Sequence, residues 1–253
     1  MRLTGPLESA ALLTALPVPA RAATSTRGVL PWAPLVGVVL GGVAAGVAEV
    51  GTRTVSALTG AVLAVGALAL LTRGLHLDGL ADTADGLGPL RGRERALQVM
   101  RQSDVGPFGV ATLVLTLLLQ IACLAALLPQ DGGWLVLWTA VVTARLAMSR
   151  TGLSGVPVAE GSSLGRTVAG TVSTAWLAAA VVLTITLAGL AAAAVRGPEQ
   201  AAVLLGAVVA GLLAAEVLHR RALRRLGGTT GDVMGAMGEV ATAATLLVAA
   251  ALW

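Results

Sequence analysis

Long apolar stretches dominate the chain and alternate with short polar segments. Windows of about 18 or more mostly apolar residues, the length needed to cross the hydrocarbon of a membrane, lie at 33–52, 54–72, 107–128, 134–149, 174–195, 200–217 and 233–253. They predict about seven transmembrane helices, of which the fourth is short. Gly and Ala are frequent within these windows, which suits close helix packing in lipid. The pattern therefore predicts an all-α integral membrane protein, with one polytopic domain over 1–253.

The composition supports the same interpretation. Hydrophobic residues make up 56% of the 253 positions and charged residues only 12%, and the mean hydropathy is +0.87, well outside the range of ordinary soluble domains. The cationic side chains are 17 arginines against 13 acids. This balance does not indicate a nucleic-acid partner, because membrane proteins use arginine to fix their orientation. Cys123, in an apolar stretch, is the only cysteine of the sequence. An intrachain disulfide is excluded because it needs two cysteines.

The arginines fall almost entirely on one side of the predicted membrane. Short cytoplasmic loops are enriched in arginine, and external loops are poor in it. If the N-terminus is inside, only Arg53 and Arg196 lie outside, and Arg145 lies within a span. The other 14 lie on the cytoplasmic side: Arg2, Arg21, Arg27, Arg73, Arg91, Arg93, Arg95, Arg101, Arg150, Arg166, Arg220, Arg221, Arg224 and Arg225. The distribution predicts a multi-pass protein of a cell membrane, with a cytoplasmic N-terminus.

Every polar segment long enough to build a site also falls on the cytoplasmic side in this arrangement. These segments lie near 73–106, 150–173 and 218–232, whereas the external loops are only a few residues long. A transporter needs access from both faces of the membrane. The one-sided arrangement therefore favours a membrane-embedded enzyme with its active site at the cytoplasmic face.

Three aspartates stand close together in the stretch LHLDGLADTADGL. Asp78, Asp82 and Asp85 are spaced i, i+4 and i+7, so in a helix they share one face. Three like charges within two turns repel one another, and the arrangement is tolerable only if a cation lies among them or if some carboxylates stay protonated. Clustered carboxylates favour a hard divalent ion, which near a phosphate is usually Mg²⁺. The spacing therefore indicates a metal site.

A second interpretation of these aspartates is structural. They would then cap helix ends beside the glycines of the same stretch, in a solvated loop. Acids so close to a membrane span are costly and usually functional, which favours the metal site. His76 is a candidate for assistance in catalysis, although a lone histidine is more often an interfacial hydrogen-bonding residue.

Arginines follow the aspartates in the stretch RGRERALQVMRQSDVGPFG, among them Arg93 and Arg101. Arginine is suited to bidentate recognition of phosphate. Orientation and anionic lipid headgroups explain an arginine surplus equally well, but they do not account for the adjacent aspartates. A metal and arginines together describe a diphosphate site.

Two further polar stretches face the same compartment. In VPVAEGSSLGRT, Glu160 stands beside a Gly/Ser turn that could approach a phosphate, but an ordinary loop is the favoured interpretation. In RRLGGTTGDVMGAMGEV, Asp232 stands at a helix start, either as its N-cap or as a functional group. Glu239 lies deeper in the apolar span and needs a partner there.

Four stretches together carry a family resemblance. GLHLDGLADTADGL (74–87), LPVP (16–19), RERALQVMRQS (93–103) and LGGTTGDVMGAMGE (226–239) resemble, in order and at similar intervals, the motifs of cobalamin synthase, adenosylcobinamide-GDP ribazoletransferase. This is a family of integral membrane enzymes of cobalamin biosynthesis, and the resemblance covers essentially the whole chain.

The resemblance implies a reaction and part of a site. The 3'-hydroxyl of α-ribazole, or of its 5'-phosphate, attacks the cobinamide-side phosphorus of adenosylcobinamide-GDP, the nucleotide loop is closed and GMP leaves. Mg²⁺ is the family's metal, and we assign Asp78, Asp82 and Asp85 as its ligands. Asp82, Asp85 and His76 are the candidate catalytic groups. The candidate residues for phosphate and nucleotide binding are Arg93, Arg101, Ser103 and Asp232.

Three other classes of protein compete with this interpretation. A CDP-alcohol phosphotransferase performs the same type of phosphoryl transfer, but its pattern has Ala-Arg after the first aspartate pair, and none follows Asp82. A cation transporter could use the three aspartates as an ion site and Glu49, Glu216 and Glu239 as a relay. A non-catalytic scaffold would leave the aspartates dispensable.

Overall fold

The computed structural model describes residues 4–23, 25–88 and 91–253, which form a bundle of α-helices. The eleven α-helices in these ranges are α1 Gly5–Leu13, α2 Val29–Thr54, α3 Ala57–Leu71, α4 Leu75–Leu87, α5 Arg93–Val99, α6 Pro107–Leu127, α7 Gly133–Ser149, α8 Ser163–Val168, α9 Thr174–Arg196, α10 Pro198–Leu226 and α11 Gly231–Leu252. These ranges contain no β-strand beyond two isolated bridges. The all-α prediction is confirmed.

Each of the seven apolar windows coincides with one helix, namely α2, α3, α6, α7, α9, α10 or α11. Five of these, α2, α6, α9, α10 and α11, are long and apolar enough to cross a membrane, and α3 qualifies only together with α4. α7 has 17 residues. The described part of the chain therefore has five or six candidate spans and is compatible with a multi-pass membrane protein. The count of seven and the orientation stay predictions, and Arg2, which entered the orientation count, lies outside the described residues.

α7 lies at the centre of the bundle. Of its residues only Trp134 and Trp138 are not buried, and it packs most extensively against α2 and α11. α9, by contrast, buries only Ala188 and Ala192 and exposes a row of leucine and valine side chains. An apolar exposed helix is suited to lipid, whereas an enclosed helix needs no lipid-facing surface. This explains why the shortest predicted span is also the most buried one.

A sharp turn at Arg73 and Gly74 separates α3 from α4. Both residues have positive φ angles, 55° and 68°, in the left-handed region that glycine adopts readily and arginine rarely. The Nη2 group of Arg73 donates to the carbonyl of Leu12 at 3.1 Å, which fixes the turn against α1. The two helices meet at 89°. α4 therefore lies across the end of α3, and we treat it as outside the membrane-spanning segments.

The N-terminal helix α1 is held against the start of α2 by two hydrogen bonds. Ser9 Oγ donates to the carbonyl of Val29 at 2.8 Å, and the N–H of Gly28 donates to Glu8 Oε2 at 2.8 Å. A buried acid and hydroxyl are tolerable because they are paired in this way. The contact brings the apolar end of α1 to the same side of the bundle as α4.

Candidate active site

One large cavity opens where the three predicted polar segments meet. Its volume is about 560 Å³, and its walls come from α1, α2, α4, α5, α7, α8 with the loop before it, and the start of α11. Segments 73–106, 150–173 and 218–232 all contribute to it. Its charged and ionisable lining residues are Arg73, His76, Asp78, Arg101, Glu160 and Asp232. The cavity therefore brings together carboxylates and arginines that are far apart in the sequence.

α4 approaches α11 most closely at Gly79, between the first two aspartates. A Cβ atom there would lie 2.6 Å from the carbonyl oxygen and 2.9 Å from the Cα of Asp232, so only glycine fits. At Gly235 of α11, an added Cβ would lie 3.1 Å from the Cα of His76. Glycines at such crossings let two helix backbones meet. The contact places Asp232 beside the aspartates of α4.

Asp82 lies among other carboxylates, one turn of α4 beyond Asp78. Its side chain is half-buried and does not line the cavity, but it stands beside the two carboxylates, Asp78 and Asp232, that do. Burial raises the pKa of Asp82, and the charges of Asp78, Asp232 and Asp85 raise it further, to about 7. Of these three charges, that of Asp78 has the largest effect on the pKa of Asp82. Both Asp78 and Asp232 line the cavity. A cation at this place would relieve the repulsion that the spacing predicts.

Asp85 has a different environment from the other two aspartates. Its side chain is only 5% exposed, Oδ2 accepts from the N–H of Gly106 at 2.7 Å, and Oδ1 accepts from the N–H of Gly109 at 3.0 Å. Gly106 is the N-cap of α6, so the carboxylate pairs N–H groups that have no partner within that helix and also faces the positive end of its dipole. Asp85 does not line the cavity. The structure favours capping for this residue over the predicted metal and catalytic roles.

The N-cap of α11 is Thr230, so the N-cap interpretation of Asp232 is wrong. Thr230 Oγ1 accepts from the N–H of Val233 at 3.1 Å and donates to Asp232 Oδ2 at 3.2 Å. Asp232 stands in the first turn, where a negative charge is favourable, and its carboxylate lines the cavity. This position suits the binding role predicted for it.

The loop before α8, taken as an ordinary loop in the sequence, forms part of the cavity wall. A single bridge joins Val158 to Thr229, and the N–H of Ala159 donates to the Thr229 carbonyl at 3.1 Å. Arg101 Nη2 donates to the carbonyl of Glu160 at 2.5 Å. Glu160 and the Gly/Ser turn that follows it line the cavity, so this loop belongs to the candidate site.

The predicted phosphate-binding residues are divided between the cavity and its surroundings. Arg101 lines the cavity. Arg93 is exposed and packs on the backbone of Gly227, and Ser103 is exposed in the turn after α5; neither lines the cavity. Arg73, which the sequence indicated only as an orientation signal, does line it. The structure thus supplies two arginines to the cavity, one predicted and one not.

His76 lies between the cavity and the interior of the bundle. It is 4% exposed, lines the cavity, and its Nε2 atom has no hydrogen-bond partner among the described residues. Burial and the charge of Arg145 hold the pKa of His76 well below its ordinary value, so the ring is neutral. A neutral imidazole donates with one nitrogen and accepts with the other.

The carboxylates fit one mode of Mg²⁺ binding and not another. The described ranges contain no group of three His, Cys, Asp or Glu side chains that could hold a metal ion between them, so an all-protein cage is not supported there. Mg²⁺, however, is usually held by one or two carboxylates, with water and substrate phosphates in the remaining positions. Asp78 and Asp82, with Asp232 beside them, offer the hard oxygen donors that this mode requires.

The apolar wall of the cavity was not foreseen in the sequence. It includes Leu12 and Leu13 of α1 and Val29 and Leu30 of α2. Such residues carry no signal that distinguishes them from packing residues, because leucine and valine fill every helix of this chain.

Comparisons with known proteins agree with one another. The family described as cobalamin-5-phosphate synthase matches residues 6–250. A relative named adenosylcobinamide-GDP ribazoletransferase from Frankia casuarinae is 42% identical, with 94% of this chain and 91% of the relative covered. Relatives of the same name from Nocardioides sp. and Chlorobaculum tepidum are 42% and 36% identical, covering 94% and 99% of this chain and 95% and 96% of their own lengths. No solved structure matches the chain.

Proposed function

Because the chain belongs to the cobalamin-5-phosphate synthase family and is a transferase of cobalamin biosynthesis, we propose that it joins adenosylcobinamide-GDP to α-ribazole, or to α-ribazole 5'-phosphate, with release of GMP. The observation that carries this proposal is the meeting of Asp78, Asp232, Arg73 and Arg101 around one cavity. A diphosphate substrate needs cationic groups for its oxygens, and a metal-assisted transfer needs carboxylates beside them.

The two arginines of the cavity are the proposed diphosphate ligands. Arg101 is held against the loop before α8 by its bond to the Glu160 carbonyl, and Arg73 is held by its bond to Leu12. Each guanidinium keeps further N–H donors for phosphate oxygens. We do not include Arg93 or Ser103 in this set, because they lie outside the cavity wall.

One or two of the carboxylates Asp78, Asp82 and Asp232 are proposed to hold Mg²⁺, with water and substrate phosphates in the remaining positions. When bound, the ion neutralises charge on the diphosphate and stabilises the phosphate that departs with GMP. The carboxylates themselves provide a negative wall that keeps the diphosphate at the arginine side unless a cation lies between them. Asp85 stays outside this set because both of its oxygens bind α6.

The bond changes of the proposed reaction are those of one phosphoryl transfer. The 3'-oxygen of α-ribazole forms a bond to the phosphorus that carries cobinamide, and the bond from that phosphorus to the bridging oxygen of GMP breaks. The hydroxyl proton passes to a carboxylate of the Asp78, Asp82 and Asp232 group. The apolar wall from α1 and α2 suits the uncharged benzimidazole ring of α-ribazole, and a cavity of about 560 Å³ is in the usual range for small-molecule sites.

We further propose that this site faces the cytoplasm from the cell membrane, where the protein contacts lipid on its exposed apolar helices. The unequal distribution of arginine along the sequence supports this orientation. The proposed orientation gives the site access to both substrates from the cytoplasm, without transport across the membrane.

The direct test measures GMP. Membranes that contain the protein, incubated with adenosylcobinamide-GDP, α-ribazole and Mg²⁺, should release GMP together with a product that contains both substrates. A parallel sample without α-ribazole controls for simple hydrolysis. A complete mixture that forms no GMP would refute the proposed function.

The role of the aspartates is tested by one pair of substitutions. Asp82→Asn should abolish turnover and weaken the dependence on Mg²⁺ while the protein still inserts into the membrane. Asp104→Asn is the matched control, since Asp104 is exposed and is not among the carboxylates whose charges act on Asp82. Unchanged activity of Asp82→Asn would show that the aspartates are structural, as the scaffold alternative requires.

A further inference from the structure

A second group of polar side chains lies among the apolar helices, behind the large cavity; three of them are buried and Glu239 is half-buried. It consists of Gln120 in α6, Arg145 in α7 and Glu239 in α11, with His76 of α4 beside them. Arg145, Gln120 and His76 are each at most 4% exposed, and Gln120 Nε2 donates to Glu239 Oε2 at 2.9 Å. Ionisable groups at such a depth are costly unless each has a partner.

The direct contacts leave two polar atoms of this group without a hydrogen-bond partner among the described residues. Glu239 attracts Arg145 electrostatically, but within the described ranges the two form no ion pair at 4.0 Å or less. The Nε–H of Arg145 and the Nε2 atom of His76 are both buried and have no hydrogen-bond partner in that part of the chain. Buried polar atoms are nearly always paired with protein or with ordered water.

A small cavity lies beside these unpaired atoms. Its volume is about 20 Å³, and Gln120, Arg145, Glu239 and His76 all line it. A cavity needs roughly 10–15 Å³ of this kind to hold one water, which also needs two to four polar partners. The cavity meets both conditions for one water and is too small for a larger ligand.

We propose that one water molecule binds in this cavity, links Arg145, Glu239 and His76, and fixes which nitrogen of His76 carries the proton. The guanidinium of Arg145 can only donate, so the water accepts from it. The two hydrogens of the water then go to the two acceptors, the Glu239 carboxylate and Nε2 of His76. Because Nε2 accepts, the neutral ring carries its proton on Nδ1.

His76 connects this buried network to the candidate active site, because it lines both cavities. A neutral imidazole with its proton on Nδ1 is a fixed hydrogen-bond donor, which suits a phosphate oxygen. Arg145 and Glu239 then act as positioning residues, through the water and without contact to substrate. This last consequence depends on the proposed function, whereas the water and the tautomer do not.

Nitrogen-15 NMR of the full-length protein labelled at histidine tests the proposal. The chain has only two histidines, His76 and His219, so comparison with the His76→Asn variant assigns the signals. In the unsubstituted protein, the Nδ1 of His76 should be protonated and Nε2 should not. In Arg145→Met the water loses its donor, and Glu239 draws the proton to Nε2 through the water. Arg145→Lys still donates and should keep the proton on Nδ1.

Two results would overturn the proposal: a proton on Nε2 in the unsubstituted protein, or an unchanged tautomer in Arg145→Met. If that variant does not fold because Glu239 is left alone, the uncharged double variant Arg145→Met/Glu239→Gln replaces it. This variant lacks both the donor and the carboxylate that orient the water, so the proton should no longer be confined to Nδ1. A proton still confined to Nδ1 would count against the water link. GMP release is measured on the same samples, so a protein with the Nδ1 tautomer that forms no GMP refutes the proposed function but supports the network.

Discussion

Replacement of Gly79 by alanine should separate the two halves of the proposed metal site. The added Cβ would lie 2.6 Å from the carbonyl oxygen, 2.9 Å from the Cα and 3.1 Å from the carbonyl carbon of Asp232. These are backbone atoms and cannot rotate away. α4 and α11 must therefore move apart by about 1 Å, since carbon atoms pack at roughly 3.5–4.0 Å.

The size of the effect follows from this displacement. Overpacking of a helix contact costs about 1–3 kcal/mol of stability. A misplacement of about 1 Å among groups that position reactants lowers turnover about 100-fold. We expect Gly79→Ala to fold and insert, with a lower melting temperature and a kcat for GMP release reduced about 100-fold.

The assay compares initial rates of GMP release and melting temperatures of purified protein in detergent. Gly46→Ala in α2 is the matched control, because an added Cβ there meets no atom within 4 Å; it should leave both quantities near those of the unsubstituted protein. Full turnover in Gly79→Ala would show that the close contact does not position Asp232, and the reasoning would be refuted.

Three further predictions concern individual residues of the site and its orientation. Asp85→Asn should lower stability by about 1–2 kcal/mol, through the loss of a charged cap on α6, without changing the Mg²⁺ concentration that gives half-maximal GMP release. Asp78→Asn should raise that Mg²⁺ concentration. A similar rise in Asp85→Asn would show that Asp85 takes part in Mg²⁺ binding. Arg101→Gln should raise the KM for adenosylcobinamide-GDP about tenfold or more, because a charge-assisted hydrogen bond contributes about 1.5–3 kcal/mol. Arg93→Gln should leave KM unchanged, and equal effects in both variants would contradict their placement. An enzyme active only in the periplasm, fused after Gly88, should be silent, whereas a strong signal would reverse the proposed orientation.

Structural features that depend on residues close together in the sequence could be predicted. The helical spacing of Asp78 and Asp82 places them on adjacent turns, and α4 contains both. The apolar windows likewise predicted helices correctly, because the backbone hydrogen bonds of a membrane helix all form within one segment. The bend at Arg73 was missed, since it depends on an arginine in a conformation that its residue type does not favour.

Features set by distant contacts could not be predicted in the same way. The partners of Asp85 are Gly106 and Gly109, beyond the end of its own helix and α5, and no local pattern couples them. Asp232 reaches Asp78 and Asp82 only because Gly79 lets two backbones touch. Glu160 is part of the cavity wall because its loop pairs with Thr229. The loop-like composition of the segment does not predict this contact.

The short length of α3 has a consequence for the depth of the aspartates. Its 15 residues rise about 22 Å, less than the roughly 30 Å of hydrocarbon in a typical bilayer. If α3 starts at the far boundary of a typical hydrocarbon layer, its end falls roughly 8 Å short of the near boundary, so the bilayer must be thinner around α3 for the α4 carboxylates to reach the headgroup level. The thickness of the surrounding bilayer then sets how much water and Mg²⁺ reach these carboxylates. Hydrophobic mismatch between α3 and the bilayer therefore affects the rate of the reaction as well as the insertion of the protein.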